Sequence, residues 1–209
     1  IRHYDFVICY ATDPFLPLAA GHDYYAFEHG TIRDIPYQHD GQGRRTALAY
    51  RLARHVFVTN FDCIPSAQKL APQRYTLINH PYDEDHGDAV GGSDALRLSL
   101  QQELDSDFLV LFPTRQDWVP GTGYADKAND VFLRAVVSLR GQGVRIGLVC
   151  CDWGKNVTQS RELLERGGAA RHVKWVKPMA VTRFERMARA CDCVADQFKL
   201  GAFGGVLFK

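Results

Sequence analysis

The chain of 209 residues has no apolar run near the roughly 20 residues that a membrane-spanning helix needs. It also lacks an excess of one charge. Its 25 Lys and Arg stand against 24 Asp and Glu, a formal net charge of +1, so no basic field marks it as a nucleic-acid partner. No charged segment leads into an apolar run and a small-residue cleavage site, and nothing in the sequence argues for secretion. The six cysteines form no metal pattern, because Cys191-x-Cys193 lacks the two-residue spacing and the second ligand pair of a zinc site. Cys63 lies in a polar segment, while Cys9, Cys150, Cys151, Cys191 and Cys193 sit in or lead into strand-like apolar runs; buried, reduced thiols are expected.

Several motifs are absent too. Gly121-x-Gly123 has no third glycine at dinucleotide-binding spacing, and none follows Phe6–Tyr10, which weighs against a nicotinamide dehydrogenase. The loop before Lys127 lacks the Gly-Lys-Ser/Thr ending of a Walker phosphate loop. Ser66, Ser99 and Ser160 are not set in Gly-x-Ser-x-Gly, which weighs against an α/β-hydrolase.

What is present is an alternation of apolar strands and helices. In the second half, strands are expected at Phe108–Thr114, Val144–Cys151, His172–Val176 and Cys193–Asp196. Helices are expected between them, from Asp126 to Arg140 with Val131, Ala135, Val136 and Leu139 on one face, from Val157 to Arg166, and from Val181 to Ala190. Such βαβ repetition indicates a doubly wound parallel sheet. In the first half strands are expected at Phe6–Tyr10, Tyr24–Phe27, Val56–Thr59 and Tyr75–Ile78. One long helix is clear, from Arg44 to Arg54, with Ala47, Leu48, Arg51 and Leu52 on one face. Residues 82–106 start rich in Asp, Gly and Ser, turn into a polar helical pattern, and read as a linker between domains at 1–81 and 107–209.

Ligands of open α/β sheets gather at the carboxyl ends of strands. Three clusters lie there. Glu28-His29-Gly30-Thr31-Ile32-Arg33-Asp34 follows the second strand: His29 can donate to a hydroxyl or phosphate, Gly30 lets the loop pass close to a ligand, and Arg33 and Asp34 can pair with each other. Thr114-Arg115-Gln-Asp-Trp118, with Lys127 after the loop Pro120-Gly-Thr-Gly123, places two cations near a strand end and a helix start, a pocket suited to a diphosphate. Gly201, Gly204 and Gly205 follow the last strand, where backbone N–H groups can face an anion. Trp153 and Trp175 stand at or near strand ends, where a ring can stack on a base or sugar; with Gly154, Val176 and Lys177 they are assigned to the nucleotide or sugar pocket.

In their order these segments resemble the group 1 (family 4) glycosyltransferases, over nearly the whole chain. The carriers are Phe27-Glu-His-Gly-Thr-Ile-Arg33, Val56-Phe-Val-Thr-Asn60, Leu77-Ile-Asn-His-Pro81, Phe112-Pro-Thr-Arg115 with Lys127-Ala-Asn-Asp130, and Ala195-Asp-Gln-Phe198 with Gly201-Ala-Phe-Gly204. The resemblance implies an α/β fold of two Rossmann-like doubly wound domains facing a cleft, acceptor side first and donor side second. It implies a hexosyltransferase that moves a sugar, with retention, from a nucleotide-diphosphate sugar to a hydroxyl acceptor in carbohydrate biosynthesis. His29 would lie beside the transferred sugar, and Arg115 and Lys127 would grip the donor diphosphate. Neither a cofactor nor a metal is expected, so the neutralising role falls to those cations and to the amides at Gly201 and Gly204. The location implied is cytoplasmic, with peripheral contact at the inner face of a membrane where the acceptor is lipid-linked.

Two departures from the family pattern stand out. Gly201 and Lys209 occupy positions where the family often has glutamates that contact the donor sugar and its ribose, and Val119–Asp126 looks long. A non-catalytic sugar or nucleotide binding module and a sugar-nucleotide epimerase of the same fold are the rival readings. Since the chain begins at Ile1 without Met and stops within a glycine-rich element, both domains are expected to be truncated. The isolated residues are then expected to be inactive, less stable than the whole and prone to associate.

Overall fold

The computed structural model describes residues 3–79, 92–119 and 126–199, which form two compact units, one from residues 3–79 and the other from residue 92 onward. In the first, strands β1 (Ile8–Tyr10), β2 (Tyr25–Glu28), β3 (Val56–Val58) and β4 (Tyr75–Leu77) form a parallel sheet in that order. Each starts and ends within two residues of its sequence-based expectation. Three helices join them: α1 (Phe15–Ala19), α2 (Gly41–Leu52) and α3 (Ile64–Leu70). Only α2 is expected from the pattern, and it begins three residues early, where the Asp40 carboxylate accepts from the Gly43 N–H at 2.7 Å and caps the helix.

The buried face of α2 differs from the expected one. Ala47 is buried, but Leu48 and Leu52 are 48% and 54% exposed, and Gly43, Thr46, Ala49 and Tyr50 go inward instead. Close approach decides this. A Cβ on Gly43 would lie 2.2 Å from the Gln38 carbonyl oxygen, so only glycine lets the helix start run against that turn. The core of the unit joins Tyr50 and Ala47 to Ala26, Val56 and Val58 of the sheet and to Cys63, Ala67 and Leu70. Cys63, in its polar-looking segment, is fully buried.

Alternate strand residues point away from that core. Phe6, Tyr10, Tyr25, Phe27 and Phe57 form a layer of rings on the other face, with Phe6–Tyr25 centroids 4.5 Å apart and Tyr10–Phe27 5.0 Å apart. Phe6 and Tyr10 are 56% and 49% exposed.

In the second unit, β5 (Phe108–Phe112), β6 (Ile146–Cys151), β7 (Val173–Val176) and β8 (Cys193–Val194) form a parallel sheet in the order β7-β6-β5-β8. Helices cover both faces. Val110, Phe112, Leu148 and Cys150 pack against α5 (Asn129–Gly141) and α6 (Val157–Arg166), and Leu109, Leu111, Val149 and Cys151 against α4 (Ser93–Glu103) and α7 (Val181–Ala190). That is the doubly wound arrangement, and it explains near-continuous apolar strands. The polar helical pattern of the linker segment is α4, with Leu100 fully buried in this core. Helices α6 and α7 span the expected residues. Helix α5 starts three residues late and turns Leu133 and Val136 inward, leaving Val131 56% exposed. The six cysteines are free; Cys63, Cys150 and Cys151 are buried, Cys9 and Cys191 half-buried, and Cys193 exposed. Among the described residues no helix is long and apolar enough to cross a membrane.

Candidate functional site

The order β7-β6-β5-β8 sends the chain from β5 to one side first and later to the other, so β5 and β8 flank a topological switch point. A cavity of about 510 Å³ opens at these carboxyl ends, within the range of small-molecule sites. Pro113, Thr114 and Arg115 reach it from β5, Cys151 and Trp153 from β6, and Asp196 from β8. Lys127 lines it from the turn before α5, while Met179, Val181 and Phe184 supply an apolar side.

Arg115 is held from two sides. Its guanidinium stands 5.9 Å from the Trp153 ring centroid, and its Nε lies 2.5 Å from Oδ2 of the buried Asp117. This close contact is an ion pair without hydrogen-bond direction, since the buried Nε–H finds no acceptor in line. The Lys127 ammonium donates to the Gln197 side-chain oxygen, and the Thr114 hydroxyl to the Asp196 carboxylate at 3.2 Å. The lining therefore combines two cations with one carboxylate, and attraction for an anion rests on direct contacts rather than on a broad positive field.

Beneath the cavity a polar network fixes the loop that carries Arg115. Gln116, fully buried, donates from its amide to the Thr114 carbonyl at 3.0 Å and accepts from the Ser160 hydroxyl at 2.9 Å. Asp117 accepts from the Lys155 N–H at 2.7 Å, and Asn129 bridges the Asp117 N–H and the Arg115 carbonyl, each at 3.2 Å. Asn156 accepts from the N–H groups of Trp118 and Val119. Satisfied buried networks of this kind hold a loop in one conformation. Sequence reading singled out the Thr114–Trp118 segment but gave Gln116, Asp117, Asn129 and Asn156 no role. Consecutive polar residues directly after a buried strand were the available signal.

The other assigned residues of this unit fall in different places. Gly154, at φ +113°, backs onto the Gln116 main chain, where a Cβ would come within 2.6 Å. Trp175 does not line the cavity; the Arg161 guanidinium covers its ring at 4.4 Å. Val176 is buried in the core, and Lys177 pairs with Asp152 at 2.7 Å, also away from the lining. Gly201, Gly204, Gly205, Lys209 and the loop Pro120-Gly-Thr-Gly123 lie outside the described residues.

In the first unit, β2 ends at Glu28 and presents His29 on the aromatic face, exposed, with its ring 5.3 Å from Tyr10 and 5.7 Å from Phe27. Although the residue is exposed overall, packing of its ring beside Tyr10 and Phe27 desolvates the imidazole in part, which lowers its pKa and favours the neutral form. Gly30 turns at φ +130°, and a Cβ there would strike the Arg33 guanidinium, which passes beneath it. Arg33 pairs with Asp62 through two contacts of 2.6 and 2.8 Å, not with its neighbour Asp34.

No protein-family model matches the chain, and no curated protein matches it in sequence. Solved structures do share its fold. A complex of the Anabaena protein HepE with UDP-glucose is 17% identical with a TM-score of 0.72, the match covering 96% of this chain and 56% of that one. The catalytic domain of starch synthase IV from Arabidopsis thaliana, bound to ADP and acarbose, is 12% identical with a TM-score of 0.57, covering 91% and 51%. A Listeria monocytogenes protein assigned as a UDP-N-acetylglucosamine 2-epimerase is 13% identical with a TM-score of 0.50, covering 92% and 51%. At such identities the likeness establishes the fold, two Rossmann-like α/β units. The chain spans about half the length of these structures.

Proposed function

We propose that this chain belongs to a group 1 type glycosyltransferase that moves a hexose from a nucleotide-diphosphate sugar to a hydroxyl acceptor, with retention. The observation that carries the proposal is the cavity at the β5/β8 switch point, where Arg115 and Lys127 stand together over a rigid polar loop. The fold is one in which solved structures hold UDP-glucose and ADP, which supports a nucleotide-sugar donor. Departure of the diphosphate develops negative charge on its oxygens, and cations placed against them stabilise the transition state more than the ground state. Arg115 and Lys127 take that role, Trp153 stacks on the nucleotide or sugar, and His29 serves the transferred sugar. The acceptor is a glycan, a lipid or a small molecule, and a lipid-linked acceptor would bring peripheral contact with the inner face of a membrane.

The shared fold with an assigned epimerase supports one rival, and Gly201 and Lys209, where glutamates are often found, support a non-catalytic binding relative. Incubating the whole protein with UDP- and ADP-sugars and candidate hydroxyl acceptors separates the three. Formation of a glycoside is the expected outcome. An epimerised donor without transfer would point to the epimerase, and binding without any turnover to the module.

A further inference from the structure

The side chain of Glu28 is fully buried at the end of β2, directly before His29. One carboxyl oxygen accepts from the Gly30 N–H, and the other is hydrogen-bonded to the Tyr50 hydroxyl of α2. That same hydroxyl is 2.8 Å from the carbonyl of Ala11. A phenol has one proton and a carbonyl can only accept, so an ionised Glu28 would leave one of these contacts without a hydrogen. With a proton on Glu28 the count closes: the carboxyl donates to the Tyr50 oxygen, and Tyr50 donates to Ala11.

The charges around the carboxyl fit this count. Arg33, the cation nearest in the turn after β2, is already matched by its two contacts to Asp62. Cys63, beside that pair, has its thiol pushed up to about 12, first by burial. Tyr50 is raised first by burial, which keeps the phenol neutral. Apart from the Arg33–Asp62 pair, these facing groups, Tyr50 and Cys63, are uncharged at neutral pH. Burial likewise raises Glu28 above the usual glutamate range, outweighing the lowering by its hydrogen bonds to Tyr50, Ile32 and Gly30 and by the nearby Arg33 charge.

We propose that Glu28 is a neutral carboxylic acid in the native fold and the positioning residue of the His29 turn, its carbonyl oxygen capping Gly30 and its hydroxyl starting a hydrogen-bond chain through Tyr50 to Ala11. The chain ties the end of β1, the end of β2 and helix α2 around one proton. The role proposed for His29 lies outside this inference, which concerns where the turn is held and by what. The sign of the linkage follows: the folded unit binds a proton that the unfolded chain releases. This contribution is therefore complete below the unfolded glutamate pKa and is lost as pH rises through the folded value, about tenfold in the folding constant per pH unit between the two.

Carboxyl ¹³C NMR of the whole protein tests it, with the Glu28 signal assigned as the one missing from Glu28→Gln. Glu28 should keep the shift of a protonated acid after the exposed glutamates have titrated. His29 should titrate alike in wild type and Glu28→Gln, because no charge has been removed. A Glu28 signal that titrates with the surface glutamates, or a His29 pKa that falls in Glu28→Gln, would overturn the neutral acid. For positioning, Glu28→Ala should move the Gly30 amide and His29 ring resonances, and Tyr50→Phe, which deletes only the hydroxyl, gives the same readout if Glu28→Ala does not fold. Unchanged resonances would overturn the positioning role. Diphosphate binding by the second unit is read separately and stands or falls without it.

Discussion

Arg115 can act on a ligand only if its loop is already held, and the residues that hold it are polar and buried. Asp117 lies against its Nε, Asn129 takes its carbonyl, and Gly154 gives room for the Gln116 main chain. Gly154→Ala is the sharpest probe, because the new Cβ meets backbone at 2.6 Å and the φ of +113° is strained for any side chain. We expect a loss of about 1–3 kcal/mol of stability, read by thermal unfolding, together with weaker nucleotide binding. Little of this was legible in the sequence. Gly154 and Trp153 could be placed near a strand end, but that Arg161 takes the Trp175 ring and Asp62 takes Arg33 depends on tertiary neighbours.

Elements were more legible than contacts. Among the described residues the β-branched and aromatic runs marked all eight strands to within two residues, and α6 and α7 matched because their amphipathic pattern is undisturbed. Helices α1 and α3 were missed, their short spans carrying Pro17 and Pro65. The faces of α2 and α5 were misjudged by hydrophobicity alone, since α2 buries small residues and a tyrosine whose hydroxyl has partners, while Leu48 stays out. Parallel sheets are commonly covered on both faces, yet the ring layer of the first sheet leaves Phe6 and Tyr10 about half exposed. The 209-residue chain should bind an apolar fluorescent dye and associate as concentration rises. Dye fluorescence and light scattering should fall together in Tyr10→Ser with Phe27→Ser, while association that is indifferent to these changes would place its cause elsewhere.

On the scale of the whole molecule, two Rossmann-like units divide the proposed work. In that proposal the diphosphate is assigned to the second unit and the transferred sugar to His29 of the first. His29→Ala is expected to slow transfer roughly a hundredfold while leaving diphosphate affinity in place, a change in kcat read against an unchanged binding titration. The most direct test is calorimetric titration of the whole protein with UDP and ADP. Saturable binding of at least one is expected, weakened about ten- to a hundredfold in both Arg115→Ala and Lys127→Ala, the loss of one charge-assisted contact of about 1.5–3 kcal/mol in each. Affinity unchanged in both variants, with the protein folded, would contradict it.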